Sequence, residues 1–180
     1  MPLHESQAEA AIRSLLLSFG LDPDAAELEA TPRRVAEFWG ERTAGYDVDL
    51  ASELQALPGD LAPVPVILSG IPFVSTCEHH LAPFQGRATV GYLPGQGGTV
   101  GLSKLVRVVQ AFAWRLQVQE RMTQQIFDAL EHHLKPAAWG VKLIAEHTCM
   151  SHRGVKTPEV PVTTLLLGGA WVADPPGEFR

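Results

Sequence analysis

The sequence PVILSGIPFVSTCEHH, residues 65–80, sets the fold and contains the first candidate site. Its apolar and β-branched residues predict a strand that leads directly into Cys77, Glu78, His79 and His80. A turn at the end of that strand can point Cys77 and His80 in one direction, so that a thiolate and an imidazole bind one metal ion. Taken alone, such a pair is equally often a buried cysteine beside a surface histidine.

The second of the two cysteines, Cys149, can supply a third ligand to the same ion. Two thiolates and an imidazole suit Zn²⁺ and leave a fourth position for water, which indicates hydrolytic chemistry. His147 lies two residues before Cys149 on a predicted strand, so both side chains are expected on one face. A histidine there can transfer protons, although a strand-end histidine bonded to the backbone is the more common arrangement.

Composition and charge limit the possible functions. A chain of 180 residues suits one domain. The net charge of −6 argues against general binding of nucleic acid or of a membrane surface, so an anionic substrate needs a local basic cluster. The chain starts with His4, Glu5 and Glu9 rather than basic residues, and Pro161 interrupts the apolar stretch 160–173. We therefore expect no secretory signal, no membrane span, reduced cysteines and a cytoplasmic protein.

Hydrophobic periodicity predicts helices on both sides of the Cys77 segment. The first follows a capping box formed by Ser6 and Glu9, and the second is predicted to have Thr31 as its N-cap and Pro32 at its first helical position. A proline-rich connector is expected at 47–65. Two further helices are predicted, one capped by Ser103 and one following Gln119.

The predicted strands complete an α+β fold. They lie at 65–76, at 87–93 (ended by a turn that includes Gly97), at 141–149 and at 160–167. We expect an N-terminal helical arm and connector over residues 1–60. An antiparallel sheet packed on a helical pair is expected over residues 61–180, and the two parts form one structural unit.

Charged residues elsewhere are candidates for substrate binding. Ser103, Lys104 and Arg107 lie in the first turns of the third helix, where free N–H groups and the helix dipole favour an anion, although such pairs usually form a solvated helix face. Arg153 follows the second metal strand, and its planar guanidinium can bind a phosphate. Glu120 can accept two hydrogen bonds from a guanine edge, but acidic residues also favour helix N-termini.

Seven motifs occur in order along the chain: Thr31-Pro32-Arg33-Arg34, STCEHH (75–80), GLSKL (101–105), QVQERMT (117–123), HTCM (147–150), Arg153-Gly154 and LGG (167–169). Taken together, they resemble the GTP cyclohydrolase I family over about residues 31–169. The resemblance implies the tunnelling fold. It also implies zinc-dependent hydrolysis of GTP to 7,8-dihydroneopterin triphosphate and formate, the first step of folate or related pterin synthesis.

The resemblance assigns a role to each candidate residue. Cys77, His80 and Cys149 would bind Zn²⁺, and water activated by the ion would attack C8 of guanine. His79 would donate a proton near the purine N7, and His147 would serve proton transfers at the ribose. Glu120, helped by Gln119, would read the guanine edge. The triphosphate would be held by Ser103, Lys104, Arg107, Arg153 and Arg34.

The resemblance also implies an assembly and reveals one departure. Family subunits join into pentameric rings, two rings form a decamer, and the active sites lie between subunits. Three residues after Arg34 some members carry a phosphate-binding lysine, whereas this chain has Glu37, and whether Arg33 compensates is left open.

Two alternatives remain at the level of sequence. The first is a tunnelling-fold relative, such as a nitrile reductase, which uses a cysteine nucleophile and a nicotinamide cofactor. Such enzymes lack a Cys-x-x-His pair followed by a second cysteine. The second is a non-catalytic zinc module that binds a partner. A structural zinc site requires four protein ligands, and the fourth would have to come from His79, His147 or His152.

Overall fold

The computed structural model of the chain describes residues 4–55, 57, 64–95 and 98–180. Three expectations fall wholly or partly outside these residues: the connector at 47–65, the boundary between arm and domain at residue 60, and the turn at Gly97. None of the helices in the described ranges combines the length and the apolar character that crossing a bilayer requires.

The N-terminal part is helical, as predicted. It contains α1 (Glu5–Ser18), α2 (Thr31–Thr43) and a short α3 (Leu50–Glu53). α1 packs against α2 and fully buries none of its own residues. The predicted capping box is wrong: the N–H groups of Gln7 and Ala8 bond to the carbonyl oxygen of His4, so the N-cap position is His4, two residues before Ser6.

Five strands form one sheet in the order β3-β1-β2-β4-β5. The strands are β1 (Val66–Cys77), β2 (Ala82–Leu93), β3 (Leu116–Gln117), β4 (Ala138–His147) and β5 (Val162–Gly169). All neighbours pair antiparallel except the two-residue β3, which lies parallel to the end of β1. β2 begins five residues earlier than predicted because it pairs with β1 from Ala82 and with β4 from Phe84.

The core lies between the sheet and the helical pair α4 (Leu102–Ala113) and α5 (Gln119–Leu134). Alternate residues of β2 point to this side, as the two-residue repeat of a strand requires. The fully buried residues of β2 are Phe84, Ala88, Val90 and Tyr92. Leu105, Val108 and Val109 of α4 and Met122, Ile126 and Leu130 of α5 cover them.

Three element ends differ from the sequence prediction. α4 begins at Leu102 with Gly101 in the N-cap position, and the N–H of Lys104 bonds to the Gly101 carbonyl, so Ser103 does not cap the helix. Similarly, Thr31 is the first helical residue of α2 rather than its cap. β4 ends at His147, and Cys149 lies on the helical turn α6 (Thr148–Ser151), so His147 and Cys149 do not share a strand.

Candidate active site

Two cysteines and a histidine meet at one end of the sheet. Cys77 is the last residue of β1, and its carbonyl oxygen accepts from the N–H groups of His80 and Leu81, which closes a tight turn into β2. The antiparallel register sets His147 of β4 opposite Phe84 of β2, so the residues after β4 return to this turn. The ligand atoms of Cys77, His80 and Cys149 all lie within 4.8 Å of one another.

The surroundings of Cys149 favour its neutral thiol. Burial raises the pKa of the Cys149 thiol, and the neighbouring Cys77 raises it further. Neither cysteine is in a disulfide. A bound divalent cation would instead favour the thiolate form of both cysteines, because a thiol that coordinates a metal ion is deprotonated. The donor set of two sulfurs and one imidazole nitrogen fits Zn²⁺.

Arg153 lies directly beside this group of three. Its Nη1 donates a hydrogen bond to Nε2 of His80 over 2.5 Å. A guanidinium is always charged, so it adds a fixed positive charge at the edge of the cluster.

His147 lies at the same end of the sheet, in a half-buried position. Its ring stacks on Phe84 with centroids 4.5 Å apart and an interplanar angle of 4°. Nε2 of His147 lies 2.8 Å from Oε1 of Gln119. Burial lowers the pKa of His147, partly opposed by the charge of Glu120. The imidazole is therefore neutral near pH 7, the form that can accept a proton.

The first two residues of α5 differ in their exposure to solvent. Gln119 is 1% exposed, and its amide bonds to groups of β4 and β5 as well as to His147. Glu120 is exposed and free to meet a ligand. The guanine-reading roles predicted for these residues stay predictions, but only Glu120 offers its side chain to solvent.

An ion pair that was not predicted from the sequence joins the turn after β1 (residues 77–81) to α5. Arg121 contacts both carboxylate oxygens of Glu78, and this bond holds the pKa of Glu78 below its usual range. The same guanidinium donates to the carbonyl oxygen of Leu116 and, from Nε, to Gln117. The only indication of this ion pair in the two motifs is that Glu78 and Arg121 carry opposite charges. His79 follows Glu78 in the turn and is exposed.

The residues predicted to bind phosphate fall into separate groups. Lys104 and Arg107 both contact Oε2 of Glu53 on α3, at 3.1 and 3.4 Å, and this interaction was not predicted from the sequence. Arg34 is exposed on α2, where Arg33 forms an ion pair with Glu37. Arg33 is thus engaged by the residue that replaces the expected lysine.

Within the chain, the start of α4 lies far from the turn that follows β1 at residues 77–81. The N–H of Val100, just before α4, bonds to the hydroxyl of Tyr92, whereas Phe84 at the other end of β2 adjoins His147. Eight residues of strand separate Phe84 from Tyr92, or about 26 Å at roughly 3.3 Å per residue. The structure therefore brings Cys77, His80 and Cys149 together with Arg153, His147 and Glu120, but not with Ser103, Lys104 and Arg107.

A solved structure of known fold resembles the chain. The apo form of the archaeosine synthase QueF-Like superposes with a TM-score of 0.50 at 15% sequence identity, covering 61% of this chain and 98% of that chain. At this identity the match concerns the fold alone, and it confirms the tunnelling fold.

Sequence comparison identifies the family. The profile of GTP cyclohydrolase I matches residues 8–178. The GTP cyclohydrolase 1 of Mycolicibacterium vanbaalenii is 46% identical over 171 residues, which span 94% of this chain and 85% of that protein. The GTP cyclohydrolase 1 of a Janthinobacterium species is 48% identical over 159 residues, 87% of this chain and 80% of that protein. The chain belongs to the GTP cyclohydrolase I family of enzymes.

Proposed function

We propose that the chain hydrolyses GTP to 7,8-dihydroneopterin triphosphate and formate with one Zn²⁺ held by Cys77, His80 and Cys149. The observation that carries the proposal is the approach of these three ligand atoms to within 4.8 Å of one another. Three protein donors leave a coordination position open, as catalytic zinc sites do. When bound, zinc supplies Lewis-acid activation of water at neutral pH.

The residues around the cluster take the remaining roles. His147, neutral and stacked on Phe84, accepts and returns protons during ring opening and the later rearrangement. His79, exposed in the turn, donates a proton near N7 of the purine. Glu120 presents a carboxylate that can accept from N1–H and the exocyclic amine of guanine.

The triphosphate is bound by a basic set divided between two ends of the sheet. Arg153 lies at the metal end, while Ser103, Lys104 and Arg107 lie on α4 near the other end. One GTP can contact both groups only if a second copy of the chain supplies one of them. This separation supports active sites between subunits in a homo-oligomer, for which we propose two pentameric rings. Arg34 on α2 is a further proposed phosphate ligand.

The proposed setting is the cytoplasm, where two free thiols stay reduced, and the proposed role is the first step of folate or pterin synthesis. The division of the chain near residue 60 into an arm and a catalytic unit also remains a proposal.

Turnover of GTP by zinc-loaded protein tests the proposal. We expect formate and, after oxidation, a fluorescent pterin in equal amounts. His147→Ala should keep its zinc and lose about 10²- to 10⁴-fold in rate. His132→Ala, which changes an exposed histidine near the end of α5, should keep both its zinc and the wild-type rate. Absence of product from fully loaded wild-type protein would refute the proposed reaction.

Two outcomes would favour the alternatives. An active, metal-free protein with an alkylatable Cys77 would favour a cysteine-nucleophile relative. A fourth protein ligand closing the zinc shell would favour a structural zinc module. Against the second, the metal-binding group found among the described residues contains three donors.

A further inference from the structure

The side chain of Gln119 lies at the centre of a buried hydrogen-bond network. Its Nε2 is 2.9 Å from the carbonyl oxygen of Val162, 3.2 Å from that of Leu143 and 3.1 Å from Oγ1 of Thr164. Its Oε1 is 2.8 Å from Nε2 of His147. Because Gln119 is 1% exposed, water cannot replace these partners.

The partners fix the orientation of the amide. Backbone carbonyl oxygens only accept hydrogen bonds, so the atom of Gln119 that faces Leu143 and Val162 must be the nitrogen. A flipped amide would set oxygen against oxygen at both positions. Oε1 is therefore the atom that faces His147, and it can only accept.

The hydroxyl groups of the network agree with this orientation. Thr123 donates its single hydroxyl proton to the backbone oxygen of Gln119 at 2.9 Å. In the 2.6 Å contact between Thr123 and Thr164, Thr164 must then be the donor. The oxygen of Thr164 remains free to accept from Nε2 of Gln119. The two protons of Nε2 are shared among three acceptors, and the direction of the bonds at Thr123, Thr164 and Oε1 of Gln119 is fixed.

We propose that Gln119 is a positioning residue that holds His147 with its proton on Nε2, leaving Nδ1 as the nitrogen that exchanges protons with substrate. The orientation requires Nε2–H whether the ring is neutral or charged. The stacked ring of Phe84 fixes the plane of the imidazole in addition. The catalytic part of this inference rests on the proposed proton-transfer role of His147.

This role differs from reading the guanine edge, and the two have different kinetic signatures. A residue that reads guanine changes KM for GTP when it is replaced, whereas one that orients a proton-transferring histidine changes kcat. Gln119→Met keeps the length of the side chain and removes the acceptor for His147. Thr164→Val is the matched control, because it removes a hydroxyl from the same network without touching His147.

Kinetics and neutron diffraction of the zinc-loaded protein test the inference together. For Gln119→Met we expect kcat to fall at least about tenfold, with KM for GTP within about threefold of wild type and the zinc retained. Thr164→Val should keep kcat within about threefold. An increased KM with unchanged kcat for Gln119→Met would overturn the inference in favour of guanine recognition.

Neutron diffraction of wild-type crystals exchanged into D₂O gives a direct result even if Gln119→Met fails to fold. We expect deuterium on Nε2 of His147 and on the Gln119 atom that faces Val162. Deuterium on Nδ1 of His147 alone would overturn the inference. This result is independent of turnover, so an inactive wild-type protein would refute the proposed function without affecting the assignment of the proton.

Discussion

Replacing Tyr92 by phenylalanine should destabilise the protein by loosening the segment that starts α4. The hydroxyl of Tyr92 accepts from the N–H of Val100 at 2.9 Å, and the two residues are 0% and 5% exposed. Burial raises the pKa of Tyr92, so the hydroxyl stays neutral. Removing it leaves a buried N–H without a partner, which costs about 1–3 kcal/mol. At this chain length each kcal/mol of lost stability lowers Tm by about 2–4 °C.

The chain contains its own control for this prediction. Tyr46, the other tyrosine, also accepts from a backbone N–H, that of Leu116 at 3.2 Å, but it is 42% exposed. Water can replace its hydroxyl, so Tyr46→Phe should cost no more than about 0.5 kcal/mol. Denaturant unfolding of both variants at one protein concentration measures the difference. Equal destabilisation by the two substitutions would show that burial of the hydroxyl does not determine the cost of removing it.

Three further predictions concern the sheet and the basic cluster. Gly86→Ala should cost more than about 4 kcal/mol or prevent folding, because a Cβ there would lie 1.9 Å from a backbone oxygen of β4. Gly177→Ala, with nothing within 4 Å, should be neutral in the same unfolding assay. Glu53→Gln should lower KM for GTP severalfold in steady-state assays, because Lys104 and Arg107 lose a competing anion; an unchanged KM would contradict their role in phosphate binding. The hydrogen bond from Lys104 lowers the pKa of Glu53 below its usual 4.5, so this pair stabilises the fold above pH 4.5 and ceases to do so as the pH falls through the lowered value. Glu53→Gln should therefore reduce the acid sensitivity of Tm, and an unchanged pH dependence would argue against a stabilising pair.

Local sequence signals predicted most of the fold. The helical periodicity of α4 and α5 and the β-branched run of β1 are patterns of residues close together in the chain. All three elements occur in the structure as predicted. The first half of β2 did not show in the sequence, since Pro83, Gln85 and Gly86 lack strand propensity. Pairing with both neighbouring strands makes that segment extended, and such pairing is a long-range property.

The same distinction applies to the site. Cys77 and His80 are held by one turn, so their spacing predicted their approach. The contact of Glu53 with Lys104 joins positions far apart in the chain and could not be predicted from either. The burial of Gln119 could have been foreseen, because it lies three and seven residues before Met122 and Ile126 on the buried face of α5.

Zinc content of purified variants is the decisive measurement for the proposed metal site. We expect about one zinc per chain in wild-type protein and in His147→Ala, since His147 bonds to Gln119 rather than joining the group of three ligand atoms. Cys149→Ser should lose zinc together with GTP turnover. Stoichiometric zinc in Cys149→Ser, or equal loss of zinc from both variants, would contradict the claim that Cys77, His80 and Cys149 form the metal site.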